Sequence, residues 1–251
     1  MVKKEFADIK YVSPIAHDTV EMTLENEYIA KHANPGQFVH ILVPNHTLRR
    51  PISIANVDPK NNTITILFKV VGSGTNTLAA HRSGDVLDLL GPCGNGFHID
   101  HFSGQTALLI GGGIGVPPLY YLGKTLAEKQ IDIISVLGFQ TADHIFYEEK
   151  FAALGETFIA TDDGSYGHHG FVTDVLQQVD AFDQYYSCGP TPMLQAVTTQ
   201  LKHKRGYISL EERMGCGVGA CFACVIPTND ERGYQKICKD GPVFAAGEVV
   251  L

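Results

Sequence analysis

The sequence predicts an all-β domain joined to an α/β domain, followed by a small cysteine-rich domain. Three observations predict this. The first hundred residues read as short β-type runs separated by turn residues. From residue 106, short apolar runs alternate with helical stretches, and four of the six cysteines fall between positions 216 and 238. The boundaries expected from these shifts are 1–101, 102–208 and 209–251. A length of 251 residues suits such an organisation, and a hydrophobic fraction of 44% supports real cores without a run of transmembrane length. A net charge of −8 argues against a nucleic-acid surface, which would carry a basic stripe.

Candidate strands in the first part are Phe6–Val12, Thr19–Leu24, Gln37–Val43, Ile52–Val57, Thr63–Val71 and Asp85–Leu90. Asn34-Pro35-Gly36 and Asp58-Pro59-Lys60-Asn61-Asn62 supply turn chemistry between them. Six short strands without a long helix suggest a small antiparallel barrel, with Thr75–His81 as a short capping helix. In the second part, Ala107–Ile110, Ile131–Phe139, Phe158–Thr161 and Tyr185–Ser187 read as buried strands. Helical segments follow the first of them through Lys129, and lie at Glu148–Leu154, Val172–Gln178 and Pro192–Lys204. Strands alternating with helices imply a doubly wound parallel sheet. The stretch from Ser209 is too short for an apolar core of its own, so its order is expected to come largely from a metal centre.

That metal centre is the sharpest signal in the chain. Cys216, Cys221, Cys224 and Cys238 follow the C-x4-C-x2-C spacing with a fourth cysteine further on, the plant-type arrangement for a [2Fe–2S] cluster. The loop from Met214 to Cys224 is mostly small residues, which lets the backbone fold around inorganic sulfur. A zinc site usually shows paired C-x2-C knuckles or histidine pairs, and only one C-x2-C occurs here. A disulfide framework suits small secreted domains, but no apolar stretch follows Met1-Val2-Lys3-Lys4-Glu5. The spacing favours the iron–sulfur reading over both, and reduced cysteines fit a cytoplasmic location.

Gly111-Gly112-Gly113-Ile114-Gly115-Val116-Pro117-Pro118 follows a strand and opens a helix, where amides and a helix N-terminus can hold a pyrophosphate. It reads G-x-G-x-x-P rather than G-x-G-x-x-G, and proline is tolerated in a first helical turn. Such a loop also serves as a plain tight turn, so alone it decides little. A second segment, Tyr186-Ser187-Cys188-Gly189-Pro190-Thr191-Pro192-Met193, ends a late strand, and Thr161-Asp162-Asp163-Gly164-Ser165 ends another. Ligands of open α/β sheets bind at these carboxyl ends.

Arg50-Pro51-Ile52-Ser53, Gly72-Ser73-Gly74-Thr75, the G-x-G-x-x-P loop and the C-G-P-x-P-M segment together resemble the ferredoxin–NADP reductase superfamily over residues 1 to about 208. The resemblance implies a flavin-binding barrel. Arg50 would meet the FAD pyrophosphate, Pro51, Ile52 and Ser53 would line the flavin, Leu67, Phe68 and Lys69 would flank it, and Gly74 and Thr75 would cradle its phosphates. A guanidinium suits bidentate phosphate contact and a glycine turn lets amides approach. Ile52 stands where the family often has an aromatic residue. For NAD, the resemblance points to Gly113, Gly115, Cys188, Gly189 and Pro190.

The order of barrel, nucleotide domain and compact cluster segment, with Leu90–Phe97 and Leu210–Met214, is similar to the electron-transfer subunits of class 1B, NAD-dependent dihydroorotate dehydrogenases. That resemblance covers the whole chain. It implies a partner subunit carrying FMN that oxidises dihydroorotate to orotate for pyrimidine synthesis, in a heterotetramer of two subunits of each kind. Electrons would pass through [2Fe–2S] and FAD to NAD+, with no substrate-transforming residue in this chain. A reductase serving a ferredoxin, oxygenase or hydrogenase is the competing enzyme reading. A flavin-free, zinc-stabilised binding module is the non-enzyme reading.

Other residues carry weaker expectations. Cys93 reads as structural, and Cys188 as either a buried strand-end residue or a neighbour of the nicotinamide. His98 and His101 suit packing or solvent contact, His168-His169 a solvated turn, and Asp162-Asp163 loop capping. Gln140-Thr141-Ala142-Asp143 offers no cation to a 2′-phosphate, which points to NAD(H). Val218, Phe222 and Val225 are expected to be buried by a docking partner.

Overall fold

The computed structural model describes residues 1–100 and 102–251, so His101 lies outside the described residues. Six strands close an antiparallel barrel: β1 (Lys3–Ala16), β2 (Thr19–Glu25), β3 (Phe38–Ile41), β4 (Arg50–Asp58), β5 (Thr63–Lys69) and β6 (Val86–Cys93). Their order around it is β1-β2-β5-β4-β3-β6. Alternation drives closure: Val20, Met22 and Leu24 on β2 face inward with Ile64, Ile66 and Phe68 on β5. Two short helices accompany the barrel, α1 (Glu27–His32) and α2 (Ser73–Ala79). α2 was expected. α1 was not, although Asn26 caps it by accepting the Ile29 N–H at 2.8 Å.

The second unit runs β7 (Thr106–Gly112), α3 (Val116–Glu128), β8 (Asp132–Phe139), α4 (Glu148–Ala152), β9 (Gly155–Thr161), β10 (His168–His169), α5 (Val172–Val175), β11 (Gln184–Cys188), α6 (Thr191–Gln200) and β12 (Arg205–Ser209). These strands are parallel to their neighbours, as continuous apolar runs between helices require. Two details correct the sequence reading. Arg205–Ser209 is a strand that the sequence reading left unassigned. His168-His169, expected as a solvated turn, pairs with Ala160 and Thr161 as a short edge strand.

The last segment adds a hairpin, β13 (Val225–Pro227) with β14 (Tyr234–Lys236), and β15 (Val243–Ala245). β15 joins the parallel sheet antiparallel to β12, giving the order β10-β9-β8-β7-β11-β12-β15. The segment also shares a core: Met214, Ile237 and Phe244 pack with Phe38 and Cys93 of the barrel and with Leu194 and Ile208 of the sheet unit. Its order therefore rests on both neighbours as well as on the cysteines, which corrects the expectation that a metal centre would supply most of it.

Helix α3 joins barrel to sheet. Tyr121 Oη donates to the Ala33 carbonyl at 2.8 Å and Lys124 Nζ to Asn56 Oδ1 at 2.6 Å. On the same side, Glu21 of β2 accepts from the Tyr147 hydroxyl and from Lys150 Nζ at 3.2 Å. The carboxyl ends of the sheet are thus held facing the barrel.

The close contact of β11 and β12 is testable. A Cβ on Gly206 would sit 2.1 Å from the fully buried Tyr185 ring. Gly206→Ala should cost about 1–3 kcal/mol by overpacking, read as a lower denaturation midpoint by circular dichroism. Unchanged stability would contradict this packing.

Candidate redox and nucleotide site

Two cavities lie where barrel, sheet and C-terminal segment meet. The first, about 520 Å³, is lined from the barrel by Pro51, Ile52, Ser53, Leu67, Phe68, Lys69 and Thr75. Ser209 to Met214 form its opposite wall. The sequence-expected flavin group thus converges, with the two expected residues Arg50 and Gly74 stacked beside it. A Cβ on Gly74 would lie 2.5 Å from the Arg50 guanidinium, so glycine is required there for the arginine to reach the α2 turn. Thr75 Oγ1 accepts the Val71 and Gly72 N–H groups at 3.0 and 3.2 Å and fixes that turn. A guanidinium at one end and an apolar slot along β4 and β5 fit a flavin dinucleotide.

The second cavity, about 700 Å³, lies at the carboxyl ends of β7, β8 and β11. Gly113, Gly189 and Pro190 line it with Gly138, Phe139, Gln140 and Asp162. Gly113 has φ +51 and open space over its Cα, the geometry of a loop that admits a ligand against its backbone. Gly115 is not in this lining. It lies under the other loop, where a Cβ would come within 2.3 Å of the Cys188 carbonyl oxygen. Cys188 lines neither cavity: its side chain is fully buried, and burial first, then the Glu211 carboxylate, push its thiol well up, against the Ser209 hydroxyl. Asp163 caps its own turn through the Ser165 N–H at 3.0 Å, as expected.

The cavities meet. Lys69, Ile114 and Glu211 line both. The Leu210–Met214 part of the wall escapes periodicity because it has no regular structure; only its resemblance to a family segment marked it.

The four expected cysteines come together directly beyond that wall. The Cys221 thiol neighbours that of Cys216, and the Cys224 thiol that of Cys238, so the thiols fall into two pairs. Two thiolates per iron is the requirement of a [2Fe–2S] cluster. Backbone amides point at the sulfurs: Val218, Ala220 and Cys221 N–H to Cys216 Sγ at 3.5, 3.2 and 3.3 Å, and Gly219 N–H to Cys238 Sγ at 3.1 Å. Burial opposes ionisation of Cys216, yet these amides and the Cys221 thiol lower it to about 6. Burial, reinforced by Cys224, pushes Cys238 up to about 12. The site fits an anionic cluster. Cys93 is apart from it, buried, with its thiol pushed up to about 12 by burial, consistent with a packing role.

Barrel, nucleotide-binding sheet and cysteine loop define the class: a reductase-type flavoprotein using FAD, NAD and a [2Fe–2S] cluster. Comparisons agree with that class and narrow it. The family model described as the iron-sulfur cluster binding domain of dihydroorotate dehydrogenase B matches residues 211–250, and the oxidoreductase NAD-binding domain matches 109–199. The chain is 51% identical to dihydroorotate dehydrogenase B (NAD(+)), electron transfer subunit, of Bacillus cereus strain G9842, over all of both chains. The protein of the same description in Bacillus anthracis strain CDC 684 is equally similar, at 51% over all of both chains. The structure of an NADH-dependent reduced ferredoxin–NADP oxidoreductase superposes with TM-score 0.89 at 31% identity, covering 97% of this chain and 89% of that one. An Amycolatopsis cytochrome P450 reductase superposes at 0.68 with 25% identity over 80% of this chain and 66% of that one. The chain belongs to the family of dihydroorotate dehydrogenase B electron transfer subunits.

The pairing of thiols generates a test. Cys221→Ser should lose the iron–sulfur absorbance and become protease-sensitive within 215–238, while the barrel and sheet, held by their own cores, melt as before. A full and stable cluster in this variant would rule out Cys221 as a ligand.

Proposed function

We propose that this chain carries electrons from an FMN-bearing catalytic partner, which oxidises dihydroorotate to orotate, through its [2Fe–2S] cluster and FAD to NAD+. The observation that carries this is the shared wall: the two cavities meet at Lys69, Ile114 and Glu211, and Met214 joins that wall to the cysteine loop. Bound FAD exchanges single electrons on the cluster side and a hydride on the nicotinamide side. The chain's own residues hold the cofactors. Arg50 and the Gly74-Thr75 turn hold phosphate, Pro51 to Ser53 and Leu67 to Lys69 the flavin, and Gly113, Gly189 and Pro190 the nicotinamide nucleotide. Gly115 and Cys188 act through the backbone crossing that keeps the two sheet loops together. Cys216, Cys221, Cys224 and Cys238 bind the cluster.

The working domains are 1–101, 102–208 and 209–251, the last completing the sheet of the second. The name of the family's members, electron transfer subunit, implies a catalytic partner. An assembly of two subunits of each kind in the cytoplasm is the arrangement proposed here; no helix among the described residues is long and apolar enough to cross a membrane. The docking face is the apolar skin over the cysteine loop, where Val218, Phe222 and Val225 are 45%, 63% and 40% exposed.

Two tests follow from this reading. Of the side chains lining the second cavity only Lys69 is a lysine or arginine, and it lies at the junction with the first. NADH should therefore be preferred over NADPH by at least about tenfold in kcat/KM, ~1.4 kcal/mol, and comparable specificity constants would refute the assignment. The purified chain should reduce artificial acceptors with NADH yet form no orotate from dihydroorotate until the FMN subunit is added, because removing a ring proton needs a positioned base beside a flavin. Orotate formation by the single chain would overturn the reading.

A further inference from the structure

His40 is a fully buried polar side chain beside both redox sites that the function has not used. It sits on β3 with no solvent exposure, and neither ring nitrogen has a hydrogen-bond partner. Buried polar groups in folded proteins are nearly always paired, and an unpaired one calls for an explanation. An imidazole carries at least one N–H donor in every protonation state.

The surroundings say what that donor faces. On the barrel side, His40 pairs across the ladder with Pro51 of β4, and its ring meets Phe38, a wall of the first cavity, at 6.5 Å between centroids. On the other side the ring packs directly on Gly217, between the cluster cysteine Cys216 and Val218. A Cβ on Gly217 would lie 2.2 Å from Nδ1, and the backbones of Arg49 and Cys216 are also beside the ring. Gly217 has φ +70, so the loop turns over the imidazole in a conformation that glycine adopts freely. A barrel histidine is thus pressed against the first turn of the cysteine loop, with its polar edge facing the backbones of Cys216 and Arg49 and no well-formed hydrogen bond to either.

We propose that His40 is a positioning residue for the cluster, donating a ring N–H into the Cys216–Gly217 turn of the loaded protein and thereby setting the cluster's reduction potential. This rests on the reading of the four cysteines as [2Fe–2S] ligands. Hydrogen bonds to the sulfurs are among the factors that set such potentials. Reduction adds negative charge to the cluster, so a donor stabilises the reduced form and raises the potential. Because the donor stands on the strand that pairs with Arg50 to Ser53, the barrel that holds the flavin would also tune the flavin's one-electron partner.

The test is a redox titration followed by EPR on the complex purified with its catalytic partner. His40→Leu, which keeps bulk and removes the donor, should lower the cluster midpoint potential and shift its g-values while leaving the flavin potentials in place. His40→Gln, which restores an amide N–H, should return the potential part of the way. A wild-type potential in His40→Leu at full iron and sulfide content overturns the proposal, as does an equal displacement in both variants, which would report packing alone. Should His40→Leu fail to fold, pulsed EPR of the wild-type complex decides. Labelling histidine with 15N should alter weak nitrogen couplings of the reduced cluster, and their absence overturns the proposal. A wild-type complex with no [2Fe–2S] signal would overturn the cluster reading itself, and this proposal with it.

Discussion

The structure depends on how a cysteine segment without an independent core is clamped to two larger units. Three attachments do this. β15 extends the parallel sheet through Tyr207, Ile208 and Ser209. Asn95, just past the last barrel strand, donates its side-chain amide to the Lys239 and Asp240 carbonyls at 3.1 and 3.0 Å and its backbone N–H to the Gly241 carbonyl at 2.6 Å. The shared core of Phe38, Cys93, Ile208, Met214, Ile237 and Phe244 fills the space between. Without these, the loop carrying Cys216 to Cys224 would be a solvated chain of small residues whose ordering cost the cluster alone would have to offset. With them, the Ser209–Met214 strand exit is pinned across the barrel mouth, where it forms one wall of the first cavity and gives Glu211 to the second.

Backbone approach is the means by which the cavities are brought together. Gly115 lies against the Cys188 carbonyl, and Gly189 against the Gly112 amide, where a Cβ would be 3.1 Å away. The loops after β7 and β11 therefore interlock, and neither can shift without the other. The nicotinamide-side cavity opens from this crossing toward Lys69 of β5, which also borders the barrel-side cavity. α3 holds the crossing in place because its first turn begins at Val116, immediately after the loop, and its far face bonds to the barrel through Tyr121 and Lys124. A packed helix that touches both units sets their separation more rigidly than a linker could.

Much of this was legible in the sequence, and the reasons differ by element. The barrel strands declared themselves as short β-type runs separated by turn residues such as Asn34-Pro35-Gly36. The sheet strands did so by apolar runs ending in glycine or polar turns. The cysteines needed only their spacing, because tetrahedral iron and a short loop leave few solutions. Four features were not legible. β12 is short, and Gly206 interrupts its apolar pattern, since the Tyr185 ring occupies the space of a side chain there. α1 has just six residues, too few for a helical period to show, although its Asn26 cap was present. The edge pair His168-His169 is ordered by β9, not by its own composition. His40 reads as one more alternating barrel residue, and only the fold brings Gly217 onto its ring.

The cysteine loop is asymmetric, and the asymmetry fits its place in an electron route. Its sulfur side is polar in a controlled way: amides aim at Cys216 and Cys238, and Lys236 Nζ ties down the Gly219 carbonyl at 2.7 Å. Its outer side is apolar and open. Phe222 stands 63% exposed, its ring 5.5 Å from Tyr234 and the Lys236 ammonium 4.1 Å from its centroid. A group of exposed side chains such as Val218, Phe222, Val225 and Tyr234 is the kind of patch that marks an interaction surface. The loop therefore borders the first cavity through Met214, and faces outward through exposed apolar residues. Covering that face would exclude water from the sulfurs, and solvent exposure is one of the factors that set a cluster's potential. The docking proposed above would in that way bear on redox poise across one eleven-residue loop, Met214 to Cys224.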